Sequence, residues 1–200
     1  MSELAASFED EVVSYEIRSR RVVGQGNFLT LVREEVDFNG EPLQREFVEH
    51  PGAVGVIALD ENGRVLTLRQ YRHPIRTRAW EAPAGLLDAP DEPLLGAAQR
   101  ELAEEADLVA STWHVLLDMT TSPGMSNERV RIFLARGVSP AASTFVREAE
   151  EADIELRWVP LDDVVDAALS GRIGNAILAS GALAAARSRD RSWDGLRPAE

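Results

Sequence analysis

GLLDAPDEPLLGAAQRELAEEADL, Gly85 to Leu108, is the stretch around which the rest of the chain is organised. The spacing predicts a helix through Arg100-Glu101-Leu102-Ala103-Glu104-Glu105. On such a helix Glu101, Glu104 and Glu105 stand at i, i+3 and i+4, so the three carboxylates share one face. Leu95, Ala98, Leu102 and Ala106 recur at three- and four-residue steps and form the apolar stripe that holds the helix down. Asp91, Glu92 and Pro93 read as the helix start, with acids at the positive end of the helix dipole. Like charges on one face repel. Either the face is simply solvated, the ordinary fate of a charge run, or a cation offsets the repulsion. A hard divalent ion such as Mg²⁺ takes oxygen ligands, and carboxylates supply them.

Gly85, Glu92, Arg100, Glu101, Glu104, Glu105 and Leu108 together resemble the Nudix box, the signature of Nudix hydrolases. Two departures stand out. Six residues separate Gly85 from Glu92, one more than in the family pattern. Asp107 stands where the family has glycine, and Asp tolerates the left-handed conformation better than most residues, so the helix can still end there.

The chain has 200 residues, enough for one domain with a real core plus a small appendage. Apolar content of 44% and charged content of 28% are those of a soluble globular protein. A net charge of −13 argues against a general nucleic-acid binder. Every basic residue is Arg, and there is no Cys, hence no disulfide framework, thiol nucleophile or zinc–thiolate site. The acidic start MSELAASFEDE lacks the apolar segment of a signal peptide. No apolar run approaches the roughly 18 residues needed to span a bilayer, so a cytoplasmic protein without a membrane partner is expected.

Along the chain, residues 12–23, 27–38 and 43–50 read as strands, with Asn39-Gly40 as a hairpin turn. This small N-terminal antiparallel β-sheet, residues 1–50, is marginal alone and calls for a packing partner such as a second subunit. A second hairpin spans 53–59 and 64–71, followed by a basic loop with Arg76 and Arg78 and a short strand at 80–84. Beyond the box come strands at 112–119, 130–135 and 154–159, a long loop at 138–153, and helices at 160–170 and 175–189. The tail, 190–200, reads as disordered. The fold class is α+β. The resemblance implies a Nudix-type α/β/α sandwich with a mixed sheet over residues 51–189.

Three further features are similar to the ADP-ribose pyrophosphatase group of the family. Pro123 lies 15 residues after Leu108. Gln70–Pro74 and Glu81–Gly85 look like that group's lead into the box. The N-terminal sheet, with Arg45-Glu46 before the core, looks like its dimerising region, in which the sheet is exchanged between subunits. The resemblance therefore implies a homodimer that hydrolyses a nucleoside diphosphate sugar, ADP-ribose, to AMP and ribose 5-phosphate. Its near rivals are other nucleoside diphosphate derivatives, and a Nudix-fold sensor without catalysis.

Carried over residue by residue, the resemblance makes Glu101 and Glu105 metal ligands, with Glu104 ligating or holding a second ion and the Ala84 carbonyl adding a further oxygen. The ion is Mg²⁺, with Mn²⁺ as the alternative. Arg100 supports the box carboxylates, or makes an ordinary surface ion pair. A general base must be within reach of the attacking water. The resemblance implies a glutamate from a loop outside the box, and its spacing to Asp153 favours Glu150 in the acid run at 148–153, then Glu151 and Glu148; otherwise the run is merely a solvated loop. Arg72 offers a planar fork for phosphate or ribose, with a strand-end ion pair as the alternative. Pro123, Arg45 and Glu46 are further substrate candidates. Trp80, Trp113 and Trp158 are expected in the core.

Overall fold

The computed structural model describes residues 8–89, 91–145 and 153–200, which divide into two units: residues up to His50 with Gly124–Ser126, and Pro51–Pro123 with Asn127–Glu200. In the first unit β1 (Ile17–Gln25), β2 (Thr30–Phe38) and β3 (Glu41–Glu49) form an antiparallel sheet in that order. The first strand starts at Ile17 rather than at residue 12. Asn39 and Gly40 both take positive φ, 56° and 92°, as a two-residue turn matched to strand twist requires. Met125 closes the unit by accepting a hydrogen bond from the Val48 N–H at 2.8 Å.

The second unit contains β4 (Ala53–Leu59), β5 (Arg64–Arg72), β6 (Thr77–Glu81), β7 (Ala84–Leu86), α1 (Leu94–Ala106), β8 (Leu108–Thr120), β9 (Arg129–Pro140), β10 (Glu155–Pro160), α2 (Leu161–Leu169), α3 (Ala176–Arg189) and β11 (Arg197–Pro198). Its sheet runs β10-β5-β4-β9-β8-β11, with β6 on β5 and β7 on β4. The β4–β9 pair is parallel and the other pairs are antiparallel, so the sheet is mixed, as expected.

All of β4 is buried, which is why it reads as a continuous apolar run. Its residues alternate between two cores. Val54, Val56 and Ala58 join Phe133, Leu102 and Ala98 beneath α1. Ile57 and Leu59 join Ile132, Leu134, Leu161, Leu178 and Ala182 beneath α2 and α3. This is the sandwich of helix, sheet and helices. The second approach is close: a Cβ on Gly181 of α3 would lie 2.6 Å from Ile57 Cγ1. Trp113 and Trp158 pack against the first core and Trp80 against the second, so all three side chains serve packing, as expected.

Four sequence readings are corrected. Residues 80–84 are not one strand: β6 ends at Glu81 and β7 starts at Ala84, because Pro83 between them has no N–H to donate. Arg78 lies in β6 and not in a loop, while His73–Ile75 forms a single 3₁₀ turn. The predicted loop from residue 138 begins later, since β9 stays paired with β8 up to the Leu108–Pro140 pair. The tail is built into the sheet: Arg197 and Pro198 pair with Val115 and His114.

Asp118 of β8 secures that edge, accepting hydrogen bonds from Arg131 at 2.7 Å and Arg197 at 2.7 Å. The Arg131 bond, ahead of the Arg197 bond, holds the Asp118 carboxyl below the usual aspartate range. A depressed carboxylate adds stability above its unfolded value and loses it as the pH falls through the folded one. Asp118→Asn is therefore expected to lower the urea midpoint at pH 7, and the gap from wild type is expected to close as the pH falls below about 3.9. A gap that does not narrow as the pH is lowered below about 3.9 would count against the ion-pair account.

Candidate functional site

The helix that carries the acids starts later than expected. Pro93 caps it, Asp91 ahead of it has φ 62°, and no acid occupies the first turn. Glu92 instead lies outside the helix and reaches Arg100. Ala97, Ala98, Leu102 and Ala106 are buried, and Leu95 packs against the same core. The apolar stripe thus faces the sheet and turns Glu101 and Glu105 toward β7.

Those two carboxylates meet the backbone of Ala84–Gly85. Glu105 is only 7% exposed and accepts a hydrogen bond from the Ala84 N–H at 2.9 Å. Glu101 lies over Gly85, where an added Cβ would sit 1.9 Å from Glu101 Oε1. Glycine is required here by close approach rather than by backbone angle.

Arg100 links the remaining acids. Its Nε and Nη2 hold Glu92 Oε1 and Oε2 at 3.1 and 3.0 Å, and Nη1 donates to Glu101 at 2.6 Å and Glu104 at 3.1 Å. The fork on Glu92 is bidentate, the geometry for which guanidinium is suited. The bond to Glu92, then those to Glu101 and Glu104, raises the Arg100 guanidinium further above its ordinary range. The same bond holds the Glu92 carboxyl below its usual range. Among the described residues no three His, Asp or Glu side chains are grouped so that they could hold a metal ion on their own. The acids of the box are paired through Arg100 and the Ala84 N–H instead.

A second polar group lies on β5 and β6. Glu81, only 4% exposed, accepts from Arg72 Nε at 3.0 Å and Nη2 at 2.7 Å, and from Gln70 Nε2 at 3.4 Å. Arg72 therefore makes the ion pair that was the alternative reading, with a carboxylate that is buried rather than on the surface. An (i, i+2) strand alternation places Gln70 and Arg72 on one face, but only the β5–β6 register sets Glu81 on that face, opposite Leu68, where their side chains reach it.

Pro123 is exposed in the turn after β8. Arg45 and Glu46 are exposed on β3 of the first unit, where Glu46 pairs with Arg33. Glu148, Glu150 and Glu151 lie outside the described residues. Two clefts of about 550 and 560 Å³ are lined by other residues, among them Arg64, Arg136 and Trp158 in one and Trp80, Arg157 and Arg172 in the other. Sequence reasoning missed the contact from Asp107 Oδ1 to the Phe145 N–H at 2.8 Å, whose partners are far apart in the chain. The substitution of Asp for the box glycine was its only signal.

Residues 49–178 match the family model of the NUDIX domain. The chain is 42% identical over 171 residues to the ADP-ribose pyrophosphatase of Mycobacterium tuberculosis, covering 85% of this chain and 82% of that protein. It is 34% identical to the ADP-ribose pyrophosphatase of Bacillus subtilis, covering 74% and 79%. The solved structure of an ADP compounds hydrolase superposes with a TM-score of 0.75 over 93% of this chain and 99% of that one, at 19% identity.

Gly85→Ala is expected to push the Glu101 carboxylate away from β7 while the two cores stay intact. Titration calorimetry with Mn²⁺ should then show affinity reduced about 10- to 100-fold with an unchanged circular dichroism spectrum. Unaltered affinity would remove Glu101 from any cation site.

Proposed function

The chain belongs to the NUDIX domain family and is a Nudix pyrophosphohydrolase, and from that premise we propose that it hydrolyses ADP-ribose to AMP and ribose 5-phosphate with the help of a divalent cation. The observation that carries the substrate is the 42% identity to an ADP-ribose pyrophosphatase over most of both chains. The turn of Glu101 and Glu105 onto Ala84–Gly85 supports the site of the chemistry.

The donor set fits a hard cation, because every candidate ligand is an oxygen: the carboxylates of Glu101, Glu104 and Glu105 and the Ala84 carbonyl. Gly85, lacking a side chain, lets the Glu101 carboxylate lie directly over the backbone beside Ala84. Mg²⁺ or Mn²⁺ held there would neutralise the pyrophosphate oxygens and acidify a bound water. A set this sparse suits an ion that keeps waters and shares substrate phosphate.

The chain's own groups would act as follows. Glu92 holds Arg100 in a two-point fork, and Arg100 in turn orients Glu101 and Glu104. Buried Glu81 holds Arg72 at the end of β5 for the phosphate or ribose of the substrate. Glu150, or Glu151, takes the proton of the attacking water. The hydroxyl then joins one phosphorus, and the bridging oxygen leaves with the other as a phosphate monoester. Pro123 shapes the same substrate's site.

A homodimer, with Arg45 and Glu46 meeting the substrate from the N-terminal sheet, belongs to the same reading. Exposed Ile17, Val22 and Leu31 in that unit support it. A cytoplasmic location accords with the absence of Cys, and among the described residues no helix is long and apolar enough to cross a membrane.

Chromatography after incubation with ADP-ribose and Mg²⁺ is expected to show AMP and ribose 5-phosphate, and none with chelator. Glu105→Gln is expected to lower kcat by about 100-fold or more with the fold intact. Cleavage of other nucleoside diphosphate sugars, NADH or dinucleoside polyphosphates but not ADP-ribose would move the substrate. Binding of ADP-ribose without turnover of any of these would replace the enzyme reading by a sensor.

A further inference from the structure

The sheet of the second unit has two unlike edges. β10, at one end, is six residues long, carries Glu155 and Arg157 and stops at Pro160. Short length, charge and proline are the devices that keep an edge strand from pairing with another chain. β8, covered only in part at the other end, is built otherwise. Its 13 residues, LVASTWHVLLDMT, include one carboxylate and no Lys, Arg or Pro. Apart from a bulge between Val115 and Leu117 its pairing with β9 is regular. A long strand of this composition with an open edge is a template for self-association. What protects it comes from the tail. Arg197 and Pro198 form β11, which pairs with Val115 and His114 at the middle of β8 and divides its edge into two shorter stretches. Pro198 has no N–H, so β11 itself offers a further strand fewer donors. The tail is fastened on both sides of the sheet: Trp193 and Leu196 pack against the core beneath α2 and α3, and Ala199 against the core beneath α1. Arg136 of β9 sets its guanidinium over the Trp193 ring, 4.8 Å from the centroid. The one carboxylate of β8, Asp118, accepts a hydrogen bond from Arg197 at 2.7 Å.

We propose that the edge of β8 is a pairing surface for a second copy of this chain, and that the tail, by taking the middle of that edge, holds it closed. A second copy is the partner the edge fits, because two β8 strands related by a twofold axis can pair antiparallel, each offering the same run of backbone groups to the other. Among the described residues no strand other than β11 pairs with that side of β8. Strand addition rests on backbone hydrogen bonds and is opposed by edge charges, and the one charge of β8 is engaged by Arg131 and Arg197. The inference rests on neither the substrate nor the dimer proposed above, since the surface lies in the second unit and the readout is a change from the wild-type assembly.

Trp193→Ser combined with Arg197→Glu removes both the packing and the ion pair of the tail in the full-length chain. Sedimentation velocity over a concentration series is expected to show the double variant moving to twice the wild-type mass, or to larger multiples, as concentration rises. Hydrogen exchange in the dilute double variant should be about tenfold or more faster than in wild type at the amides around His114 and Val115. Adding Val109→Lys, at an exposed position of β8, is expected to restore the wild-type mass, because a lysine on the edge opposes pairing. Arg197→Glu alone alters an exposed side chain and should give the same changes at higher concentration, which keeps the test open if the double variant does not fold. Wild-type mass at every concentration in variants whose exchange shows the tail released, or association that Val109→Lys does not suppress, would overturn the proposal. Exchange unchanged from wild type in both variants would overturn it too, since protection of the edge would then not come from the fastening of the tail.

Discussion

The close approach of α1 to β7 is the constraint on which the site depends. The Glu101 carboxylate occupies space that any side chain at residue 85 would need. The helix comes this near because its sheet-facing residues include Ala97, Ala98 and Ala106, which let it settle close over β4 and β9. Leu102 fills the remaining volume and is fully buried. The approach fixes two features at once: Glu105 reaches the Ala84 N–H, and Glu101 can find room only over a glycine. Lengthening the loop between Gly85 and Glu92 by one residue leaves this contact in place, because the helix is held by its apolar face and not by the loop before it.

Magnitudes indicate what holds the helix and what Arg100 does. Burying a leucine side chain such as Leu102 is worth about 1.5–3 kcal/mol. Partly exposed ion pairs contribute about 0.2–1 kcal/mol each, and Glu104 and Arg100 are both partly open to water. The helix therefore sits on its apolar stripe. The guanidinium chiefly offsets repulsion among Glu92, Glu101 and Glu104 and sets where their carboxylates point. Arg72 and Glu81 repeat this arrangement on β5 and β6, where the buried acid fixes the fork of a more exposed base.

The sheet transmits the same logic to the rest of the unit. Because β4 is covered on both faces, its residues serve α1 with one face and α2 and α3 with the other. Gly181 permits α3 to lie against Ile57, so both layers of helices come close to one central strand. The site sits where β7, the short strand hydrogen-bonded to β4, meets α1. The Ala84 N–H that Glu105 accepts is thus fixed by pairing with a strand buried along its whole length.

Much of this was legible in the sequence. The 3.6-residue periodicity placed α1 and its apolar face, the alternating and continuous apolar runs placed most strands, and Asn39-Gly40 marked its turn, because each of these signals is local. The box pattern named the carboxylates. The sequence could not locate the break at Pro83, the length of β9 or the pairing of the tail, since each depends on a neighbour strand supplied from elsewhere in the chain. Nor could it tell which acid each arginine holds. By itself the sequence determined which residue types share a helix face and what chemistry they can perform. Only the tertiary structure decided that Glu101 lies over Gly85, that Glu81 takes Arg72, and that Asp107 reaches Phe145, because contacts between residues up to 38 apart in the chain form only once packing has set the distance.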